Sequence, residues 1–85
     1  MNQATKPSKQ KSARELLAVN LRILRAERGL TKEVLANLAG IDRGYVGQIE
    51  SMARAVSVDI IDRLARALEV SVVQLFEVPP NHKNR

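Results

Sequence analysis

Catalytic chemistry has little to work with in this chain of 85 residues. The one histidine, His82, lies in the C-terminal tail beyond Pro80, and there is no cysteine. Disulfides and thiolate metal sites are thereby excluded. There is no metal-ligand spacing, no nucleophile–base set and no phosphate-binding glycine loop. Asp59 and Asp62 fall one turn apart on a helical stretch, but Arg63 and Arg66 beside them favour a solvated face over a carboxylate dyad. No enzymatic activity, metal or cofactor is expected. The chemistry that the residues do favour is binding to a polyanion. Lys and Arg number 14 against 9 Asp and Glu, a net charge of +5, and the isoelectric point is about 10.3. Nucleic acid is the commonest partner of so basic a domain, with plain solubilising charge as the alternative.

The charge is uneven. Lys6, Lys9 and Lys11 meet no acid within residues 1–12, whereas Asp59, Asp62, Glu69 and Glu77 outnumber Arg63 and Arg66 within residues 57–78. A phosphate-facing surface therefore belongs nearer the front. The length fits one domain. Hydrophobic residues make up 45%, with a single Tyr and a single Phe, so the core must be aliphatic. No apolar run approaches the ~18 residues of a membrane span. The N-terminus lacks the apolar stretch of a signal peptide, and a cytoplasmic protein is expected.

The elements that must carry any binding group are all helical. Residues 1–12 are polar, contain Pro7 and read as a mobile basic arm. The folded domain is expected over residues 13–78, with a polar tail over 79–85. Ser12, with Glu15 three residues later, predicts a capping box for a first helix from Ala13 to Arg28. Its core stripe is Leu17, Leu21 and Leu24, and Gly29 is its stop. Thr31 caps a second helix, Lys32 to Ala39, whose inner face is Leu35, Ala36 and Ala39 with Leu38 beside them. Gly40, Ile41 and Asp42 leave only a short turn before a third helix, Arg43 to Ser51, capped by Asp42 and facing inward with Val46 and Ile49. Ser57 caps a fourth helix, Val58 to Glu69, with Ile61, Leu64, Ala65 and Leu68 as its stripe. Ser71 caps a short fifth, Val72 to Glu77, and Pro79-Pro80 stops it. No strand-like alternation appears. The fold class is all-α, with five helices.

A turn this short, with a glycine able to take positive φ, makes the second and third helices cross steeply. That is a helix-turn-helix arrangement. In it the later helix enters the major groove with its N-terminal residues on base edges, and the earlier one can offer its N-terminus to a phosphate.

The stretch LRILRAERGLTKEVLANLAGIDRGYVGQIE resembles the phage repressor and Cro-like helix-turn-helix regulators. The continuation IDRGYVGQIESMARAVSVDIIDRLARALEVSVVQLFE is similar to the controller proteins of restriction–modification systems. The resemblance spans Leu16 to Val78. It implies a charged pair, Arg25 with Glu50, tying the first helix to the end of the recognition helix; a surface pair is the plainer reading. Arg43 is the leading base reader, since its planar fork matches guanine O6 and N7, and a phosphate contact is its alternative. Gln48 lies further along the exposed face, within reach of a base or a phosphate. Tyr45 matches the family's tyrosine, which implies a backbone contact through its hydroxyl; a half-buried ring packed on the second helix is the other reading.

The chain also departs from the family. Gly44 and Gly47 stand on the DNA-facing side, where the family usually has side chains. Either they admit close backbone approach, or they make recognition sparser. Lys32 replaces the usual Gln at the start of the second helix and keeps a phosphate role as a point charge. Met52 stands where the family has Gly, and Arg54 remains as a phosphate or groove contact. The resemblance further implies a homodimer through Val72, Val73, Leu75 and Phe76, an apolar excess that one core face cannot absorb; a fifth helix that simply closes a monomer core is the other reading. The expected function is transcription regulation by a homodimeric controller of a restriction–modification system, through sequence-specific binding of double-stranded DNA at a near-palindromic operator, with RNA polymerase as a further partner. The alternatives are a phage-like or other small repressor, or an antitoxin or adaptor on the same fold.

Overall fold

The computed structural model describes residues 11–80. The arm expected over residues 1–12 lies, up to residue 10, outside the described residues, as does the tail from residue 81, with His82. Four α-helices and one 3₁₀ helix follow in order: α1 (Ala13–Glu27), α2 (Lys32–Ala39), α3 (Tyr45–Glu50), α4 (Val58–Leu68) and the 3₁₀ helix (Val72–Phe76). There is no strand among the described residues. The last element is thus 3₁₀ rather than the expected α-helix. It is a single short run of β-branched and large side chains just ahead of Pro79 and Pro80, and short helical pieces commonly take this tighter form.

Side-chain caps start three of the helices. Ser12 Oγ accepts from the Glu15 amide at 3.1 Å while Glu15 Oε1 accepts from the Ser12 amide at 2.7 Å, a reciprocal box. Thr31 accepts from Val34 at 3.0 Å and Ser57 from Ile60 at 3.1 Å. At the 3₁₀ helix the Gln74 side chain accepts from the Ser71 amide at 3.1 Å. The helix ends share one device, a residue in the left-handed region followed by an amide that reaches back over the last turn. Gly29 and Gly40 supply it at φ +66° and +70°. Met52 and Glu69 supply it at φ 60° without being glycine. Behind them Leu30, Ile41, Ala53 and Val70 donate to the carbonyls of Arg25, Ala36, Gln48 and Ala65. So the position where the family's glycine is missing keeps a glycine's backbone, at a strain of roughly 1 kcal/mol.

The third helix begins later than its sequence pattern suggests. Asp42 caps nothing with its side chain; instead its carbonyl accepts from the Tyr45 amide at 3.0 Å, closing a turn that contains Arg43 and Gly44. Gly44 has poor helix propensity and no side chain to seat the first turn, so regular helix starts after it. Arg43 and Gly44 therefore stand in the turn and not within the helix.

The core is aliphatic. Leu17, Leu21, Leu35, Val46, Ile49, Leu64, Leu68 and Leu75 form one buried cluster, with Ala36 and Ala65 between them. α2 packs on α3 and α4, and α1 packs on α3 and on the 3₁₀ helix. Ile41 in the turn packs against the cluster. Leu38 of α2 does not join it and is 56% exposed. None of the helices is long and apolar enough to cross a membrane, among the described residues.

Candidate nucleic-acid interface

The end of α3 is held from behind by α1. Arg25 Nε donates to Glu50 Oε2 at 2.8 Å and Arg25 Nη2 to Oε1 at 3.0 Å, a bidentate pair. A third donor, Nη1, reaches the Leu30 carbonyl at 2.9 Å and so ties in the loop before α2. The Glu50 side chain is 4% exposed and that of Arg25 16%. The hydrogen bonds to Glu50 raise the Arg25 pKa above its ordinary value; burial opposes this, and the charges of Glu50 and Glu33 add to it. Arg22 approaches the same carboxylate from the solvent side at 3.8 Å.

The outer edge of the α2–turn–α3 unit carries the remaining polar groups. Lys32 opens α2 beside the Thr31 cap, and its Cδ lies 3.6 Å from where a Cβ on Gly47 would sit. The first residue of α2 and the middle of α3 are therefore neighbours. Arg43 is exposed in the turn and borders a shallow depression with Glu33, Asn37 and Ile41. Nothing stands within 4 Å of the space above Gly44. The Tyr45 ring is half-buried against the core, and its hydroxyl points at the Ala55 carbonyl, 3.5 Å away. Arg54 lies over that ring, 4.0 Å from its centroid, and its Nη1 donates to Gln48 Oε1 at 3.1 Å. Lys32 and Gly47 thus meet, and so do Tyr45, Gln48 and Arg54. Gly44 joins the second group through its carbonyl, which accepts from the Gln48 amide at 3.1 Å, and the Arg43 side chain borders the depression with Glu33, Asn37 and Ile41.

A family model described as helix-turn-helix matches residues 21–75. The chain belongs to the helix-turn-helix family. Among solved structures, this helix-turn-helix chain is similar to a hypothetical transcription factor from Neisseria. The TM-score is 0.78 at 32% identity, over 93% of this chain and 94% of that one. It is also similar to the restriction–modification controller protein C.AhdI from Aeromonas hydrophila. There the TM-score is 0.71 at 43% identity, over 74% of this chain and 96% of that one. Among curated proteins, the control protein C.SmaI of Serratia marcescens is 39% identical over 63 residues, 74% of this chain and 75% of its own length. The protein is a helix-turn-helix DNA-binding regulator.

The four residues expected at a dimer interface do not share one environment. Val72 and Val73 are 41% and 65% exposed, and Phe76 is half-buried. Leu75 is fully buried in the protomer's own core and presents nothing to a partner. Asn20 Nδ2 donates to the carbonyls of Leu75 at 3.1 Å and Glu77 at 2.7 Å. This buried amide straps the 3₁₀ helix onto α1, where Leu75 packs in the core cluster. Sequence reasoning passed over Asn20, although a signal was available: it follows Leu17 by three residues and precedes Leu24 by four, on the helix's core face. Asp62, the other half of the rejected dyad, pairs with Arg66 at 3.0 Å on an exposed face.

Proposed function

We propose that this helix-turn-helix protein is a homodimeric controller of a restriction–modification system that reads a near-palindromic operator in duplex DNA. One observation carries the DNA-reading part. Lys32, Arg43, Gln48 and Arg54 all lie exposed around the α2–turn–α3 unit, whose far side is clamped by Arg25 and Glu50. In this reading α3 enters the major groove, Arg43 reads a base edge and Lys32 meets a phosphate. The controller part is supported by the likeness to C.AhdI and C.SmaI. Dimerisation uses the exposed Val72 and Val73 with Phe76, and it places the two recognition helices about 34 Å apart, one turn of DNA. The protein then acts by occupancy and not by catalysis: bound near a promoter, it recruits or blocks RNA polymerase.

The test is a gel shift against the DNA upstream of the protein's own gene. Specific binding that weakens steeply with salt is expected. Indifference to that DNA and to any near-palindrome selected from random sequence overturns the proposal. The likeness to the Neisseria transcription factor favours a second reading, a regulator outside restriction–modification. Gene order separates the two, since a controller sits beside a methyltransferase and a nuclease gene.

A further inference from the structure

Within α3 itself Gln48 is the one exposed long side chain, with Arg43 standing outside the helix in the turn before it. Gln48 is not an independent group. Arg54 rests on the Tyr45 ring at 4.0 Å and donates to Gln48 Oε1 at 3.1 Å. A guanidinium carries donors and no acceptor, so the amide oxygen must be the atom that faces it. The amide nitrogen is then the atom left for a ligand, with further N–H groups of Arg54 beside it.

This changes what Gln48 can read. A lone glutamine pairs with adenine by donating to N7 and accepting from the N6 amine through its own oxygen. Here that oxygen already accepts from a cation, which repels the positive edge of the N6 amine. Guanine offers two acceptors in the same place, O6 and N7. We infer that Gln48 and Arg54 act together as one donor-only reader that selects guanine over adenine at the base pair they face. Tyr45 is a positioning residue in this unit, because its ring supplies the platform over which the Arg54 guanidinium rests. The inference rests on the proposed entry of α3 into the major groove.

A selection from randomised duplexes, read by sequencing, tests it on the full-length protein and on the variants Gln48→Ala, Arg54→Ala and Tyr45→Leu. Gln48 and Arg54 are exposed and Leu keeps an apolar group at position 45, so all three variants should melt as cooperatively as the parent. The unaltered protein should enrich guanine at one pair in each half-site, and Gln48→Ala should abolish that preference. Arg54→Ala should keep a preference at the same pair but move it to adenine, a swing of roughly tenfold. Tyr45→Leu should weaken the guanine preference while leaving the Arg54 charge in place. Low salt restores enough binding to read these preferences if the lost charge weakens overall affinity. Guanine retained at full strength in Arg54→Ala or Tyr45→Leu overturns the inference and leaves the DNA-reading proposal standing. The same holds if Gln48→Ala changes no position. Failure of the unaltered protein to enrich any sequence defeats the DNA-reading proposal itself.

Discussion

Replacing Glu50 by alanine should cost about 3 kcal/mol of folding stability. The carboxylate is 4% exposed and takes two short hydrogen bonds from Arg25, at 2.8 and 3.0 Å. Hydrogen bonds to charged groups contribute about 1.5–3 kcal/mol each. The substitution removes both and leaves a guanidinium, 16% exposed, with only the Leu30 carbonyl at 2.9 Å. Partial access to water lets Arg25 recover some hydration, which keeps the loss near the low end of that sum. Arg22 adds little, because it is 57% exposed and 3.8 Å away. A domain of this size has a total stability of about 4–13 kcal/mol, so the loss would be a large share of it. Urea unfolding followed by far-ultraviolet circular dichroism measures this as a shift in midpoint at constant slope. The set Arg25→Ala, Glu50→Ala and the double variant should give a coupling of at least ~1.5 kcal/mol. A loss below about 1 kcal/mol, the size of an exposed ion pair, would refute the clamp, and so would an additive cycle.

Outcomes are also expected for five further variants. Met52→Gly relieves a left-handed backbone at φ 60°, so it should stabilise the fold by about 0.5–1 kcal/mol and raise Tm by a few degrees in a thermal scan. In Gly47→Ala the added methyl meets Lys32 Cδ at an ordinary 3.6 Å, so helix propensity should raise stability by about 1 kcal/mol in the same scan. Its effect on operator affinity then separates the two roles for this glycine: a loss of tenfold or more marks close backbone approach, and no loss marks a sparse reading face. Arg43→Ala should cost about 1–3 kcal/mol of binding and relax one operator position, whereas Lys32→Ala should weaken all duplexes alike and lower the salt slope by about 1. Val73→Glu, at a site 65% exposed, should give folded monomers by sedimentation; an unchanged dimer would move the interface elsewhere.

Much of the scaffold is legible along the chain because its determinants are local. Ser12 with Glu15, and then Thr31 and Ser57, announce helix starts through bonds that span three residues. The leucine stripe of α1 and the Leu64–Leu68 stripe of α4 follow from helical period alone. What escapes is set by contacts distant in sequence or by a backbone that residue type does not signal. Leu75 reads as surplus apolar surface until Asn20, on a different helix, takes its carbonyl. The start of α3 reads as Arg43 until Gly44 leaves the first turn without a side chain. Arg54 reads as a loop cation because nothing in a methionine advertises that residue 52 reverses the chain and brings Arg54 back over Tyr45.

That last point bears on how so bare a helix could read DNA at all. Gly44 just ahead of α3 and Gly47 within it carry no side chain, which leaves Gln48 as the only exposed long group of the helix. The turn closed at Met52 compensates by returning a planar cation from beyond the helix to the same place, with Arg14 holding the Met52 carbonyl at 3.1 Å from α1. Recognition is thereby shared between a helix with few side chains and a loop whose path is set by one left-handed residue. A change that alters this path should disturb base preference even when no DNA-facing side chain is touched. Met52→Gly keeps the path and should leave the operator unchanged. Met52→Pro demands a negative φ and removes the amide that donates to the Ile49 carbonyl at 3.0 Å. It should lose the guanine preference together with the Arg54 contact while α1, α2 and α4 stay folded.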